Sequence, residues 1–213
     1  MNRFAAVIFD MDGVLIDSEP LHAQAWKAMF ADLGRAYNQG VNYRDYIGVS
    51  DMVFLREFLA KNPLPHTPKE LHSRKLQHLY RLIREHRPIY HELHDLVPAL
   101  AQRYALAVAS SSNQEVIDVV LEVAGLTNCF KVTVGGNAVE HHKPHPDVYL
   151  LAAKNLGIPA AQCCAIEDSP VGIAAAKTAG MTAIGITTGL PPEKLTGADH
   201  IARNFADVRR LLL

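Results

Sequence analysis

Between Ala5 and Asp17 the chain reads AAVIFDMDGVLID. Ala5 to Phe9 form an unbroken apolar run that contains β-branched Val7 and Ile8. A strand with one wet face would alternate apolar and polar residues. A run without alternation fits a strand buried on both faces, as in parallel sheets covered by helices on either side. The run ends in two carboxylates two residues apart, Asp10 and Asp12, followed by Gly13. Open α/β folds place their sites beyond the carboxyl ends of their strands. One short segment therefore predicts an architecture and a location for chemistry.

The next block breaks the α/β rhythm. Ser18, with Pro20 in the first turn, opens a helix that runs to a stop at Gly34. Leu21, Ala25, Met29 and Leu33 share one face of it. Residues 35–48 read as a loop with a short helix, and 50–61 as a helix. Thr67-Pro68-Lys69-Glu70 is a capping box with proline in first place, opening a helix over 68–86. The stretch 61–87 carries seven Lys or Arg against two acids, which predicts a solvated helix face. From Ser18 to Arg87 no strand is predicted.

After Pro88 strands and helices alternate. Helices are predicted over 92–102, 113–124 (capped by Ser112, stopped at Gly125), from Pro146 to Gly157, from Ser169-Pro170 to Gly180, and over 205–213. Strands are predicted at 104–110, 131–134, 162–167 and 181–186, with an edge strand at 200–202. The expected fold is α/β: a three-layer core with a parallel sheet, formed by 1–17 and 88–213, and an inserted all-helical domain over 18–87.

Composition narrows the function classes. A formal net charge of -1 gives no global field for nucleic acid or a membrane surface. No apolar run reaches the ~18 residues of a spanning helix, and the N-terminal apolar run is cut by acids before any cleavage-site pattern. The three cysteines, Cys129, Cys163 and Cys164, match neither a disulfide framework nor a zinc site and suit a reducing cytoplasm. The eleven histidines lack paired metal spacing.

Four strand ends carry the chemistry. The first gives Asp10 and Asp12; the second gives Ser110, Ser111 and Ser112 at a helix start. The segment HHKPHPDVY brings Lys143, and CCAIEDSP ends in Glu167 and Asp168. Asp10, Asp168 and Glu167 on one sheet edge would repel one another unless a cation sits among them, and oxygen-only ligands suit Mg²⁺. Lys143, the Ser110 hydroxyl and helix N–H groups suit a phosphate. The set is built for phosphoryl transfer. Asp10 is the candidate nucleophile. Asp12 is the candidate acid and then base, with its carbonyl also available to the metal.

These residues resemble the haloacid dehalogenase superfamily of phosphotransferases. Asp10-Met11-Asp12-Gly13-Val14 is similar to its first motif and Ser110 to its second. Lys143-Pro144-His145-Pro146-Asp147 is similar to the third, and Glu167-Asp168 to the fourth. The resemblance implies a Rossmann-like core with a helical cap inserted after the first motif. It also implies Asp10 as nucleophile, Asp12 as acid/base, Ser110, Ser111 and Lys143 as phosphate holders, and Asp10, Asp12, Asp168 and Glu167 as Mg²⁺ ligands.

The stretch DMDGVLIDSEPLH looks like the sugar-phosphatase and β-phosphoglucomutase branch, where His22 matches a cap-side histidine near the leaving group. In β-phosphoglucomutase an arginine of the cap loop grips a second phosphate. The matching stretch here is Gly48-Val49-Ser50-Asp51, with Ile47 where a lysine is expected, and the acid at Asp51 opposes such a grip. The expectation is a cytoplasmic, monomeric, Mg²⁺-dependent phosphatase of small phosphorylated metabolites, sugar phosphates foremost. The alternatives are a phosphomutase of the same fold and a phosphate-binding regulatory protein without turnover. A phosphonate hydrolase would need a Schiff-base lysine from the cap, for which Lys27 is a weakly supported candidate.

Overall fold

A computed structural model of the chain describes residues 4–35, 41–42 and 51–213. The expectations for Ile47, Gly48, Val49 and Ser50, and for most of the loop at 35–48, lie outside the described residues. The chain divides into two compact units, one of Met1–Asp17 with Pro88–Leu213 and one of Ser18–Arg87.

The first unit is a six-stranded, all-parallel sheet. Its strands are β1 (Ala6–Phe9), β2 (Ala105–Ala109), β3 (Val132–Val134), β4 (Cys163–Glu167), β5 (Thr182–Ile186) and β6 (His200–Ala202), in the order β3-β2-β1-β4-β5-β6. This is a Rossmann-like order, and β1 stands at the switch point between β2 and β4. All four residues of β1 are buried, as the unbroken apolar run requires. Side chains alternate across the strand, so Ala6 and Ile8 share one face. That face joins an alanine-rich cluster with Ala107, Ala165, Ala175 and Ala176. Small side chains there let the covering helices approach the sheet. Phe9 points to the other layer and meets Phe130 edge-on at 5.6 Å.

The strand-to-helix joints hold the local signals read from the sequence. Helix α5 (Gln114–Ala124) stops at Gly125, and α6 (Asp147–Leu156) stops at Gly157. Both glycines are left-handed, with φ of 68° and 70°. Helix α7 (Pro170–Thr178) is capped by Ser169, whose hydroxyl accepts from the Gly172 N–H. One cap differs from expectation. Asn113, not Ser112, precedes α5, and it makes no side-chain cap bond. The Ser112 hydroxyl is drawn away to Asp12. Helices α4 (Leu93–Ala101) and α8 (Phe205–Leu212) complete this unit.

The second unit holds α1 (Glu19–Asp32), α2 (Asp51–Lys61) and α3 (Pro68–His86), and no strand among its described residues. Thr67 and Glu70 form the predicted reciprocal cap: Thr67 N–H donates to Glu70 Oε2 at 2.7 Å and Glu70 N–H to Thr67 Oγ1 at 3.3 Å. The unit's core is aromatic. Trp26 meets Phe54 at 4.7 Å and Phe30 meets Phe58 at 4.6 Å between ring centroids, with Met29, Leu55 and Leu71 around them. The solvated-face reading of the basic stretch fails at one residue: Lys75 is fully buried.

Candidate active site

The site lies at the carboxyl ends of β1, β2 and β4. Asp10 continues β1 by one residue, its N–H donating to the Ile166 carbonyl at 2.9 Å. Ser110 continues β2 likewise, bonded to the Val134 carbonyl at 3.0 Å. Glu167 is the last residue of β4, and Asp168 follows it. A parallel sheet aligns these ends on one edge.

Lys143 joins them. Its Nζ donates to Asp10 Oδ1 at 2.6 Å, to Glu167 Oε1 at 2.6 Å and to the Ala109 carbonyl at 3.1 Å. The side chains of Lys143, Asp10 and Glu167 are 5%, 10% and 0% exposed, so these are buried ion pairs with little solvent screening. Burial opposes the lysine charge, but Asp10 and then Glu167 outweigh it and hold Lys143 above the ordinary lysine range.

The carboxylates outnumber this cation. Burial pushes the Asp10 carboxyl well above its usual value; Lys143 works against that rise, while Glu167, Asp168 and Asp12 add to it. Asp168 is pushed up to about 7 by burial and then by the charges of Glu167 and Asp12. One oxygen each of Asp10, Glu167 and Asp168 lies within 4.8 Å of the others. The three carboxylates hold more negative charge than one lysine offsets, a surplus that a hard dication held by oxygen donors would balance.

Gly13 is required here. Its φ is +75°, and a Cβ would stand 1.9 Å from Asp168 Oδ2. Thr188 Oγ1 donates to the Gly13 carbonyl and so ties this turn to the end of β5.

The serine loop has a defined polarity. Ser110 is buried, and its Oγ accepts from the Ser112 N–H at 3.0 Å, which leaves its own O–H to donate elsewhere. Ser111 is exposed at the same joint. Ser112 Oγ donates to Asp12 Oδ2 at 2.9 Å and so orients that carboxylate.

Sequence reasoning missed Ser112 in this part, having read it as a cap. It also missed Tyr149, whose hydroxyl donates to Glu167 Oε1 at 2.8 Å. It assigned Ser169 to capping alone, although its Oγ also donates to Glu167 Oε2 at 3.0 Å. No spacing rule marks Tyr149. The adjacency of Ser112 to Ser110 was the available signal for the first.

His22 and Asp51 belong to the helical unit, where both meet Lys75. Lys75 Nζ donates to Asp51 Oδ2 at 2.8 Å and to His22 Nδ1 at 2.9 Å, and lies 5.3 Å from the Trp26 ring centroid. His72 Nε2 stands 3.3 Å from the same Asp51 oxygen. Burial works against the Asp51 charge, but Lys75, His72 and His22 outweigh it and hold the carboxyl well below the carboxylate range. Lys27 is exposed on α1.

Comparison with known proteins agrees with this geometry. A sequence profile of the haloacid dehalogenase-like hydrolases matches residues 4–180. The fructose-1-phosphate phosphatase YqaB of Escherichia coli is 31% identical over 186 residues, covering 86% of this chain and 97% of that protein. The β-phosphoglucomutase of Bacillus subtilis is 30% identical over 218 residues, covering 98% and 93%. The crystal structure of CbbY from Rhodobacter sphaeroides in complex with phosphate is 29% identical. It superposes with a TM-score of 0.84 over 96% of each chain. With its strand-end motifs and its sheet order, the chain belongs to the haloacid dehalogenase-like hydrolases, in the branch of sugar phosphatases and β-phosphoglucomutases.

Proposed function

We propose that this hydrolase is a Mg²⁺-dependent phosphatase of small sugar phosphates that works through an aspartyl-phosphate. The observation that carries the reading is Lys143 bridging Asp10 and Glu167 beside Asp168, three carboxylates around one ammonium group. Asp10, Asp168 and the Asp12 carbonyl would hold the ion, with the Glu167 carboxylate adding negative charge beside them. Bound there, Mg²⁺ supplies positive charge that offsets the carboxylates and the incoming phosphate.

The remaining roles belong to the chain's own groups. The Lys143 ammonium, the Ser110 hydroxyl and Ser111 hold the phosphoryl oxygens. An Asp10 oxygen attacks phosphorus as the ester P–O bond breaks, and Asp12 gives its proton to the departing oxygen. Asp12, then ionised, takes a proton from water. The water oxygen attacks the aspartyl-phosphate, which releases inorganic phosphate and restores Asp10. Ser112 holds the Asp12 carboxylate through both steps.

The helical unit supplies substrate selection, with His22 and Asp51 as selecting residues. Asp51 favours hydrolysis over a mutase. Its carboxylate pairs with Lys75 at 2.8 Å, and its negative charge opposes a second phosphate. The test is phosphate release from a panel of sugar phosphates, with Mg²⁺ and with chelator, including β-glucose 1-phosphate plus a bisphosphate activator. Metal-dependent release of free phosphate is expected. Conversion to glucose 6-phosphate without release would make it a mutase. Binding of phosphate and Mg²⁺ without turnover would make it a regulatory protein. Fructose 1-phosphate and hexitol phosphates head the panel, because relatives named as phosphatases of those esters share 31% and 34% identity with this chain.

A further inference from the structure

Glu167 closes β4 and is fully buried. A carboxylate has about four lone-pair positions, and each Glu167 oxygen meets two donors. Oε1 accepts from Lys143 Nζ at 2.6 Å and from the Tyr149 hydroxyl at 2.8 Å. Oε2 accepts from the Ser169 hydroxyl at 3.0 Å and the Ser169 N–H at 3.3 Å. The backbone of α7 walls the group, since a Cβ at Gly172 would lie 1.8 Å from Oε1.

Tyr149 is itself fully buried on α6. Its hydroxyl lies 3.3 Å from Lys143 Nζ, and its ring centroid 4.8 Å from the same nitrogen. A phenylalanine would fill the same space. What the hydroxyl adds is a bond that stops the Glu167 carboxylate from turning away from the lysine, and a direct acceptor for the Lys143 ammonium.

We propose that Tyr149 is a positioning residue: by its own contact with the lysine and through Glu167, which Ser169 also holds, it fixes the Lys143 ammonium on Asp10, so that Glu167 anchors that lysine and is not a ligand of the cation. Among the described residues Asp168 makes no comparable set of bonds, which leaves its oxygens to the ion. This inference rests on the phosphatase reading, in which Lys143 holds the phosphoryl group.

Tyr149→Phe in the full chain tests it. Calorimetry measures Mg²⁺ alone and inorganic phosphate at saturating Mg²⁺, and p-nitrophenyl phosphate gives kcat/KM. The expected result is phosphate binding weakened by about tenfold, with kcat/KM falling to match. The Mg²⁺ Kd should stay within about twofold, since the ion's ligands are untouched. In a Glu167→Gln background the same substitution should change phosphate binding by less than it does in wild type, because one of the two routes by which it acts is already altered.

Unchanged phosphate binding would overturn the proposal. So would a Mg²⁺ Kd that loosens in step with phosphate, which is what a Glu167 ligand or a general loosening of the site would give. If Glu167→Gln does not fold, the comparison of phosphate with Mg²⁺ in Tyr149→Phe decides alone. A wild-type protein that binds phosphate and Mg²⁺ without turnover would refute the phosphatase reading, and the binding arms would still decide the role of Tyr149.

Discussion

Lys143→Met tests the centre of the site. The substitution keeps much of the side-chain length and removes the one ammonium group that lies 2.6 Å from both Asp10 and Glu167. Those carboxylates are almost wholly buried, so solvent does not replace the lost charge. Removing one partner of a buried pair costs about 3–5 kcal/mol. The lower end applies, because a carboxyl left without its cation relieves the strain by binding a proton. At about 3 kcal/mol the melting temperature should fall by about 6–12 °C, measured in chelator so that no metal compensates.

Activity should suffer more. Losing one group that stabilises transition-state charge lowers kcat by about 10²–10³. Lys143 is also the charge that opposes the rise of the Asp10 carboxyl, so the nucleophile spends less time ionised without it. Both effects act on the same step, which sets the expected loss at about 10³-fold or more at saturating Mg²⁺. The assay is kcat on p-nitrophenyl phosphate together with thermal unfolding. A variant that melts normally and keeps kcat within tenfold of wild type would refute the reasoning about this ion pair.

Asp10→Asn should abolish turnover while the chain stays folded, because an amide is a poor nucleophile; phosphate release at a wild-type rate would sink the mechanism. Gly172→Ala adds a methyl group 1.8 Å from Glu167 Oε1. Forcing that carboxylate off its donors should cost about 1–3 kcal/mol by urea unfolding, despite the helix preference of alanine, and a stabilised variant would contradict the contact. Asp51→Asn leaves Lys75 buried without its counter-charge, at about 3 kcal/mol near pH 7. The Asp51 carboxyl is lowered in the folded chain. Its contribution is therefore present above the unfolded carboxyl value, about 3.9, and is lost as pH falls toward the folded value. Wild type and variant should differ in urea unfolding at pH 7, and the difference should begin to shrink only below about pH 4. A constant difference across that range would point to packing instead.

The elements were legible because their signals are local. β1 is an apolar run, and a strand of that kind needs no partner to be recognised. Gly125 and Gly157 end helices because they adopt left-handed backbone, and Thr67 and Glu70 cap α3 across three residues. Asp10, Ser110, Glu167 and Asp168 could be gathered from sequence for a related reason. Each stands at or just past the end of a strand, and a parallel sheet brings all such ends to one edge. Lys143 lies on no strand, so its approach to Asp10 across 133 positions could be anticipated only from the chemistry of a phosphate site and the family motif.

What stayed hidden depends on partners distant in sequence. Ser112 looks like a cap because a serine before a helix usually is one. The competing bond is to Asp12, 100 residues away, and nothing near Ser112 announces it. Lys75 reads as part of a basic helix face because its neighbours are polar. Its position five residues after Glu70 and four before Leu79 puts it on the buried stripe of α3 with Leu71, Leu79 and Leu82. There periodicity points inward and charge outward, and the fold follows periodicity, since a lysine can sit on a buried stripe when a carboxylate, an imidazole and an indole ring meet its ammonium. Tyr149 follows the same logic on α6: an aromatic residue at a core position is read as packing until a buried acceptor is found for its hydroxyl. Lys75 on α3 and Tyr149 on α6 each place a polar atom on the apolar face of a helix, and each meets a carboxylate on another element.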